Sequence, residues 1–401
     1  MPMACVAATL PAMSKRPVSL LVVIGTLAHM GGAERQAIYL IEHLASLPGC
    51  TVAVLAFEEG AALRPVLAGL GVPVHVLPYY FRWPRVRRAV ALLRLARLLR
   101  YTLKPDALLP FVGIHSKAMA QVWPLSGARF CWWNQQDEGR NLHGTPEEGR
   151  LLRKVSCITS NSEAGRIFLA ETYGLPPERI RVYNNGTPLP QPAANPAPWR
   201  DQLNLGHRRM VSMIANITTF KDHATLLEAW VAVRRHFAGR ATPVLLLAGH
   251  LREHVTVARL KTQAFDLGLS SDDVRLLGAV GDVPGLIAQS DLVVHSSLTE
   301  GCPNAVCEAM AMARAVVATD IPGCRQALGE DGAPWLAEPR NPAALASRMI
   351  RLLEDDDLRR GEGRRNQLRI REEFSIAGMN RELQQLIEQG LGVSLGQSRD
   401  C

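Results

Sequence analysis

Aromatic residues are scarce in this 401-residue chain, at 5%, and no long apolar run interrupts it. The longest near-apolar stretch, Val18 to Leu27, carries Gly25 and Thr26. It falls well short of the roughly 18 consecutive apolar residues that suggest a membrane span, and reads as a buried strand. The opening residues MPMACVAATLPA, just before an alternative start at Met13, lack the basic start and apolar core of a secretory signal. The eight cysteines (5, 50, 131, 157, 302, 307, 324 and 401) form no CxxC pair. A disulfide framework and a zinc site are therefore unsupported, and thiols in a reducing cytosol are the expectation. No repeat of 20 to 50 residues is visible. After the first apolar run the sequence reads GTLAHMGGAER, without Gly-x-Gly-x-x-Gly, and no Gly-Lys-Ser/Thr phosphate loop occurs elsewhere. Nicotinamide and Walker-type nucleotide chemistry are both disfavoured.

What is present describes a globular protein. Hydrophobic residues make up 47% and charged residues 20%, and the length suits two domains. Forty-five Lys and Arg against 37 Asp and Glu leave a net charge of +8. That surplus suits an acidic partner: nucleic acid, an anionic membrane surface or a phosphorylated substrate.

Short apolar runs alternate with longer amphipathic stretches. In the first half the expected strands are 19–24, 52–57, 74–77, 107–112, 129–133 and 157–161. The segment 33–47 repeats Ala37, Leu40, Ile41 and Leu44 at helical spacing and stops at Pro48 and Gly49. PLPQPAANPAPW, Pro188 to Trp199, has five prolines and reads as a semi-rigid linker. Alternation then restarts, with strands at 210–217, 244–248, 274–277, 292–295 and 315–319. Helices are expected beside them at 223–237, 283–289, 304–312 and 342–353. Such alternation implies right-handed βαβ units and parallel sheets. The expectation is an α/β chain of two Rossmann-like domains, 14–187 and 201–375. A linker at 188–200 joins them, a terminal helix at 376–395 packs back on the first, and the cleft between domains is the default site.

The informative segment is HSSLTEGCPNAVCEAMAMARAVVATD, His295 to Asp320. A strand runs into a loop with Glu300 and Gly301, Pro303 opens a helix bearing Glu308, and another strand follows. The carboxyl end of a parallel strand facing a helix N-terminus is where open α/β sheets bind ligands. Free N–H groups of Asn304, Ala305 and Val306 would point at a phosphate, and Pro303 is tolerated in the unpaired first turn. Two flanking carboxylates suit sugar hydroxyls, because one carboxylate accepts two strong hydrogen bonds.

This segment resembles the E-x7-E motif of the GT-B retaining glycosyltransferases, specifically the large family four. The resemblance extends to GGAERQAIYL (31–40), KPDALLPFVGIHSKAMA (104–120), SNSEAGRIFL (160–169), VYNNGTPLP (182–190), IANITTFKDHATLLEAW (214–230), LLLAGH (245–250) and LLGAVGDVPGLIAQSDLVVHSSL (276–298). Nearly all of residues 19 to 390 follow the family's order. The resemblance implies a donor half in which Glu300 holds sugar hydroxyls and Glu308 the ribose of a sugar nucleotide. Lys221 would neutralise the diphosphate, Gly278 to Val280 would meet the base, and Gly31 and Gly32 would allow close approach of phosphate or acceptor. It also implies transfer with retention, the phosphate taking the acceptor's proton, without metal or other cofactor. No acidic triplet stands beside a strand to argue otherwise, and Asp355–Asp357 reads as solvated helix surface.

The departures are specific. Asn216 stands where the family usually has an arginine, so the diphosphate load falls more heavily on Lys221 and helix amides. Ala313 and Ala315 replace Gly and Pro, and Gln326 replaces a common Glu. Where many members carry a histidine that bonds the donor sugar, this chain reads FCWWNQQDEGR. Asn134, Gln135, Asp137 and His143 are the candidates for that place. A sugar-nucleotide epimerase and a non-catalytic sugar-nucleotide-binding scaffold are the alternatives to a transferase.

Phe81 to Lys104 holds seven arginines and one lysine. Arg87, Arg94, Arg97, Arg100 and Lys104 fall on one helical face, and Leu92, Leu95, Leu99 and Leu103 on the other. Val90 and Leu93 sit among the arginines, and Tyr79, Tyr80, Phe81 and Trp83 precede them. This pattern suits the anionic inner face of a membrane, where a lipid-linked acceptor of polysaccharide or glycolipid synthesis would lie. Nucleic acid is disfavoured for want of a motif. The expected location is cytoplasmic and peripheral to that membrane.

Overall fold

A computed structural model describes residues 16–139, 141–190, 198–251 and 253–396. It divides into two compact units, the first running to Asn161 and including Gly165–Tyr183 and the residues from Met379, the second centred on Asn184–Gly378.

The first unit is built on β1 (Val18–Thr26), β2 (Cys50–Glu58), β3 (Val74–Val76), β4 (Ala107–Pro110), β5 (Phe130–Gln135), β6 (Cys157–Ser160) and β7 (Ile180–Val182). They form one parallel sheet in the order β3-β2-β1-β4-β5-β6-β7. Central β1 is apolar on both faces, as a strand covered by helices must be. Its Leu20, Val22 and Ile24 pack in one core, and Leu21 and Val23 in another. The helix Gly32–Ala45 buries Ala37, Leu40, Ile41 and Leu44, the stripe legible in its spacing. From Met379 the helix Ile376–Leu391 joins the same core through Leu383, Leu386, Ile387 and Leu391.

The second unit holds β8 (Met210–Ile214), β9 (Val244–Ala248), β10 (Val274–Gly278), β11 (Leu292–His295), β12 (Ala315–Thr319) and β13 (Leu336–Ala337). Its parallel order is β10-β9-β8-β11-β12-β13, the doubly wound arrangement in which strand order reverses between β8 and β11. The fully buried Trp230 anchors its core, its indole N–H donating to the Asp273 carbonyl at 3.0 Å.

Several bounds differ from the sequence reading. The strand expected through Val112 ends at Pro110, because Val112 has φ 74°, which no strand accommodates. The strand expected at 129–133 is shifted to 130–135. Strands β7 and β13, of three and two residues, are too short to show a period. The second unit begins before the proline-rich stretch, because residues 184–187 are tied into it. Thr187 N donates to Phe374 O at 2.8 Å and Asn184 Nδ2 to Glu373 O at 3.0 Å. Residues 191–197 of the expected linker lie outside the described residues.

Candidate functional site in the second unit

At the β8/β11 reversal the two following loops leave toward opposite faces, opening a crevice at the strands' carboxyl ends. Lys221 comes from the β8 side and Glu300 from the β11 side. On the β8 side a short turn, Thr219–Lys221, ends at Asp222 in the left-handed region with φ 47°. Asp222 caps the helix His223–His236, accepting from Thr225 N at 3.3 Å and Thr225 Oγ1 at 2.7 Å. The β11 side clamps this turn. Leu298 N and Ser297 Oγ donate to the Phe220 carbonyl at 2.7 and 3.1 Å, and Ser296 Oγ to the Lys221 carbonyl at 3.0 Å. Sequence reasoning passed over both serines; two hydroxyls directly after a strand were the available signal.

The structure brings Lys221 and Glu300 together. Lys221 Nζ bonds Glu300 Oε1 within a pair whose side chains are 16% and 12% exposed. His295 Nε2 lies 3.0 Å from the same oxygen. Burial raises the Glu300 pKa, but the Lys221 charge and the His295 bond outweigh it and hold the carboxyl well below the usual range. Burial lowers the His295 pKa; the Glu300 bond opposes this, and the ring is held below its ordinary value.

Glu300, Gly301, Pro303, Asn304, Ala305, Val306 and Glu308 lie on one continuous loop and helix. Pro303 precedes the helix Asn304–Ala311, with Glu308 about one turn in. One expectation is corrected here. The Val306 N–H is taken by the Pro303 carbonyl at 2.9 Å, which leaves the amides of Asn304 and Ala305 at the helix start. Asn304 is steadied by Asn185, whose Nδ2 donates to its Oδ1 at 3.0 Å. Gly278 ends β10 with φ 68°, a conformation that disfavours a side chain. Asn216 is exposed and accepts the His250 N–H at 3.0 Å, bracing the loop after β9. Gly323, not singled out from sequence, faces the carboxylate loop. A Cβ there would sit 2.1 Å from Gly301 O and 2.6 Å from Glu300 O.

Gly31 and Gly32 belong to the first unit, at the start of the helix Gly32–Ala45. The space beside Gly31 is filled from within: a Cβ would meet Glu34 Oε2 at 2.5 Å. Burial raises the Glu34 pKa, against bonds to backbone groups of Glu34 and Gly31. Three of the candidates for the missing histidine, Asn134, Gln135 and Asp137, are also tied up internally. Asn134 Oδ1 accepts from Gln136 Nε2 at 2.8 Å and from the Tyr183 hydroxyl at 3.0 Å. Gln135 Nε2 donates to Asp137 Oδ1 at 2.6 Å, and His143 is exposed. Asp356, expected as solvated surface, instead pairs with Arg209 at 2.7 Å and Arg359 at 2.8 Å.

His223 is a further residue the sequence did not flag. It is 3% exposed, and neither ring nitrogen has a hydrogen-bond partner. Burial, then His295 and Lys221, push its pKa down to about 3. The unfolded chain therefore takes up the proton first. The stability held by the neutral ring is complete above about pH 6.5 and is lost as pH falls toward the folded value. At pH 5 the loss is about 2 kcal/mol for this ring. His223→Phe is expected to shrink the difference in unfolding free energy between pH 7 and pH 5 by that amount in urea titrations. An unchanged difference would refute the assignment.

Two family models match the chain. The one described as Glycosyltransferase Family 4 covers residues 30–190, and the one described as Glycosyl transferases group 1 covers residues 208–355. Among curated proteins, the chain is 30% identical over 167 residues to the Campylobacter jejuni N,N'-diacetylbacillosaminyl-diphospho-undecaprenol alpha-1,3-N-acetylgalactosaminyltransferase, 40% of this chain and 39% of that one. It is 24% identical over 219 residues to the D-inositol 3-phosphate glycosyltransferase of Corynebacterium glutamicum, 53% of this chain and 52% of that one. These matches thus span about half, or less, of the relatives' lengths. Among solved structures, Anabaena Alr3699/HepE in complex with UDP and glucose superposes with a TM-score of 0.78 at 20% identity, covering 93% of this chain and 100% of that one. That likeness speaks for the fold.

Proposed function

Because the chain belongs to the group 1, family 4 glycosyltransferases and has their GT-B type of fold, we propose that it moves a sugar from a nucleotide-diphosphate sugar to a glycan or lipid-linked acceptor. The observation that carries this reading is the meeting of Lys221 and Glu300 at the β8/β11 reversal, Glu300 standing on the loop that leads into the helix starting at Asn304.

In this mechanism the diphosphate lies against the Asn304 helix start and Lys221, whose charge offsets the negative charge growing on the leaving group. Glu300 accepts from hydroxyls of the donor sugar and Glu308 from the ribose. The bond between the anomeric carbon and the diphosphate oxygen breaks as the acceptor oxygen bonds to the same face of that carbon. The acceptor's proton passes to the departing diphosphate, so configuration is retained. Lys221 and the two amides supply positive potential without a metal ion, and positioning does the rest. Complexes of Alr3699/HepE with UDP and UDP-glucose make a uridine nucleotide the first donor to try. Thermal-shift titration with UDP, GDP and ADP tests the nucleotide site. One of them is expected to raise the melting temperature with saturation, as mass action requires. Absence of any shift with all three would contradict the reading.

The C. jejuni relative is named for an undecaprenol-linked acceptor, which supports an acceptor at a membrane surface. The basic stripe supports the same placement. The helix Arg85–Arg97 continues into a wider turn, Leu98–Leu103, and buries Ala91, Leu95, Ala96 and Leu99. Outward, Val86, Leu93 and Tyr101 are 78%, 58% and 72% exposed among exposed Arg94, Arg97 and Arg100. The preceding aromatics serve differently from the sequence expectation. Tyr79 is buried against Phe81, and Trp83 stacks under Arg87 at 4.0 Å. No helix among the described residues is long and apolar enough to cross a bilayer, so the proposal is surface attachment. Flotation with phosphatidylglycerol vesicles is expected to carry the chain upward. An Arg94→Gln/Arg97→Gln pair should bind about 30-fold more weakly, at about 1 kcal/mol per cation. Equal flotation of both proteins would rule out this surface.

A further inference from the structure

Glu300 is held asymmetrically. Its Oε1 takes both Lys221 Nζ and His295 Nε2, the latter at 3.0 Å, while Oε2 receives no hydrogen bond from the described residues. The two donors are of different kinds. Lysine ends a flexible four-carbon stem with three rotatable donors, so it supplies charge but little direction. His295 is 2% exposed and is the last residue of β11, in register with Ala318 of β12, so its backbone is fixed by the sheet. Its Nε2 can hold a proton toward only one acceptor, and a neutral ring does so without neutralising Glu300.

We propose that His295 is a positioning residue for sugar transfer: it pins Oε1 of Glu300, so that Oε2 is presented to a hydroxyl of the donor sugar while Lys221 serves the diphosphate. The proposal rests on the donor-side reading given above for Lys221 and Glu300. A lysine drawn toward two phosphates gives up part of its hold on the carboxylate, and His295 is then the bond that keeps Glu300 aimed. The unpartnered His223 ring, whose pKa His295 and Lys221 both help to lower, offers the carboxylate no competing donor. The sugar contact is therefore set by one imidazole bond.

A positioning role predicts a split that a purely structural role does not. The probes are UDP, GDP and ADP and their glucose conjugates, measured by calorimetry, with turnover followed on crude membrane acceptor. His295→Leu removes the donor while keeping an apolar side chain of similar bulk. It is expected to bind the preferred nucleoside diphosphate within about twofold of wild type. It should lose the added affinity contributed by the sugar, and its kcat should fall at least tenfold. His295→Gln, whose amide N–H reaches about as far as Nε2, should recover most of that kcat. Wild-type turnover in His295→Leu overturns the proposal. So does an equal loss of nucleotide and sugar-nucleotide binding that glutamine does not rescue, since that pattern is simple structural damage. Glu300→Gln separates the two levels. If it is inactive while His295→Leu is unimpaired, only the positioning role fails. If Glu300→Gln transfers like wild type, or wild type binds none of the probes, the donor-site reading fails and takes this inference with it.

Discussion

Lys221→Ala is expected to lower sugar transfer by about a hundred- to a thousand-fold, about 3–4 kcal/mol, the usual cost of removing one preorganised donor to a developing negative charge. The chain has little to replace it. Asn216 stands where the family pattern would provide a second cation, and its side-chain oxygen is engaged by the His250 amide. The Val306 amide is consumed by Pro303, so two helix amides rather than three remain to share the load. The substitution also has a stability cost that must be told apart from the catalytic one. Glu300 would be left buried with only the neutral His295 beside it, and breaking one side of a buried pair costs about 3 kcal/mol or more. Adding Glu300→Gln removes the stranded charge. The double variant should therefore regain most of the lost melting temperature and none of the activity. Recovery of activity in the double variant would show that Lys221 acts only by neutralising Glu300.

The second large effect involves no residue that touches a ligand in this account. In Gly323→Ala the new methyl would stand 2.1 Å from Gly301 O and 2.6 Å from Glu300 O. Both are backbone atoms and cannot swing aside as a side-chain tip would. The carboxylate loop must shift by the better part of an ångström, and displacement on that scale can cost about a hundredfold in rate. Nucleoside diphosphate affinity should fall less, since Lys221 belongs to another segment and the Asn304 amide to the helix that follows the loop. Gly361→Ala is the control. Nothing lies within 4 Å of its new methyl, and it sits inside the helix Asp356–Glu373. That change should leave the rate alone and raise stability by about 1 kcal/mol. Equal rates for both alanine variants would show that the loop tolerates the displacement.

These two cases mark how far the sequence could be read. The alternation of apolar runs located most strands of both parallel sheets, because buried parallel strands are continuous apolar runs with few rivals. It missed β7 and β13, whose three and two residues carry no period. The E-x7-E segment and Lys221 were visible through the resemblance to the family, whose motif concentrates its chemistry in a few residues. What held them in place was not. Ser296 and Ser297 act through the carbonyls of Phe220 and Lys221, and Gly323 acts by having no side chain. His295 and His223 read as ordinary residues at the end of a strand and the start of a helix until their neighbours are known. The Val306 amide was misjudged for the same reason, because whether an N–H is free depends on the turn geometry at Pro303 rather than on residue type. In the basic stripe the charge pattern was legible. The partition of aromatics was not, since Tyr79 and Phe81 go to the core and leave Val86, Leu93 and Tyr101 outermost.

The most direct test of the account is product formation from a panel of UDP-, GDP- and ADP-sugars with crude membrane acceptor, in chelator, comparing wild type with Glu308→Ala. One donor is expected to yield a glycosylated product whose new linkage keeps the donor's anomeric configuration, and Glu308→Ala should yield none. Nucleotide binding without turnover on any donor, an inverted linkage, or a Glu308→Ala variant as active as wild type would contradict it.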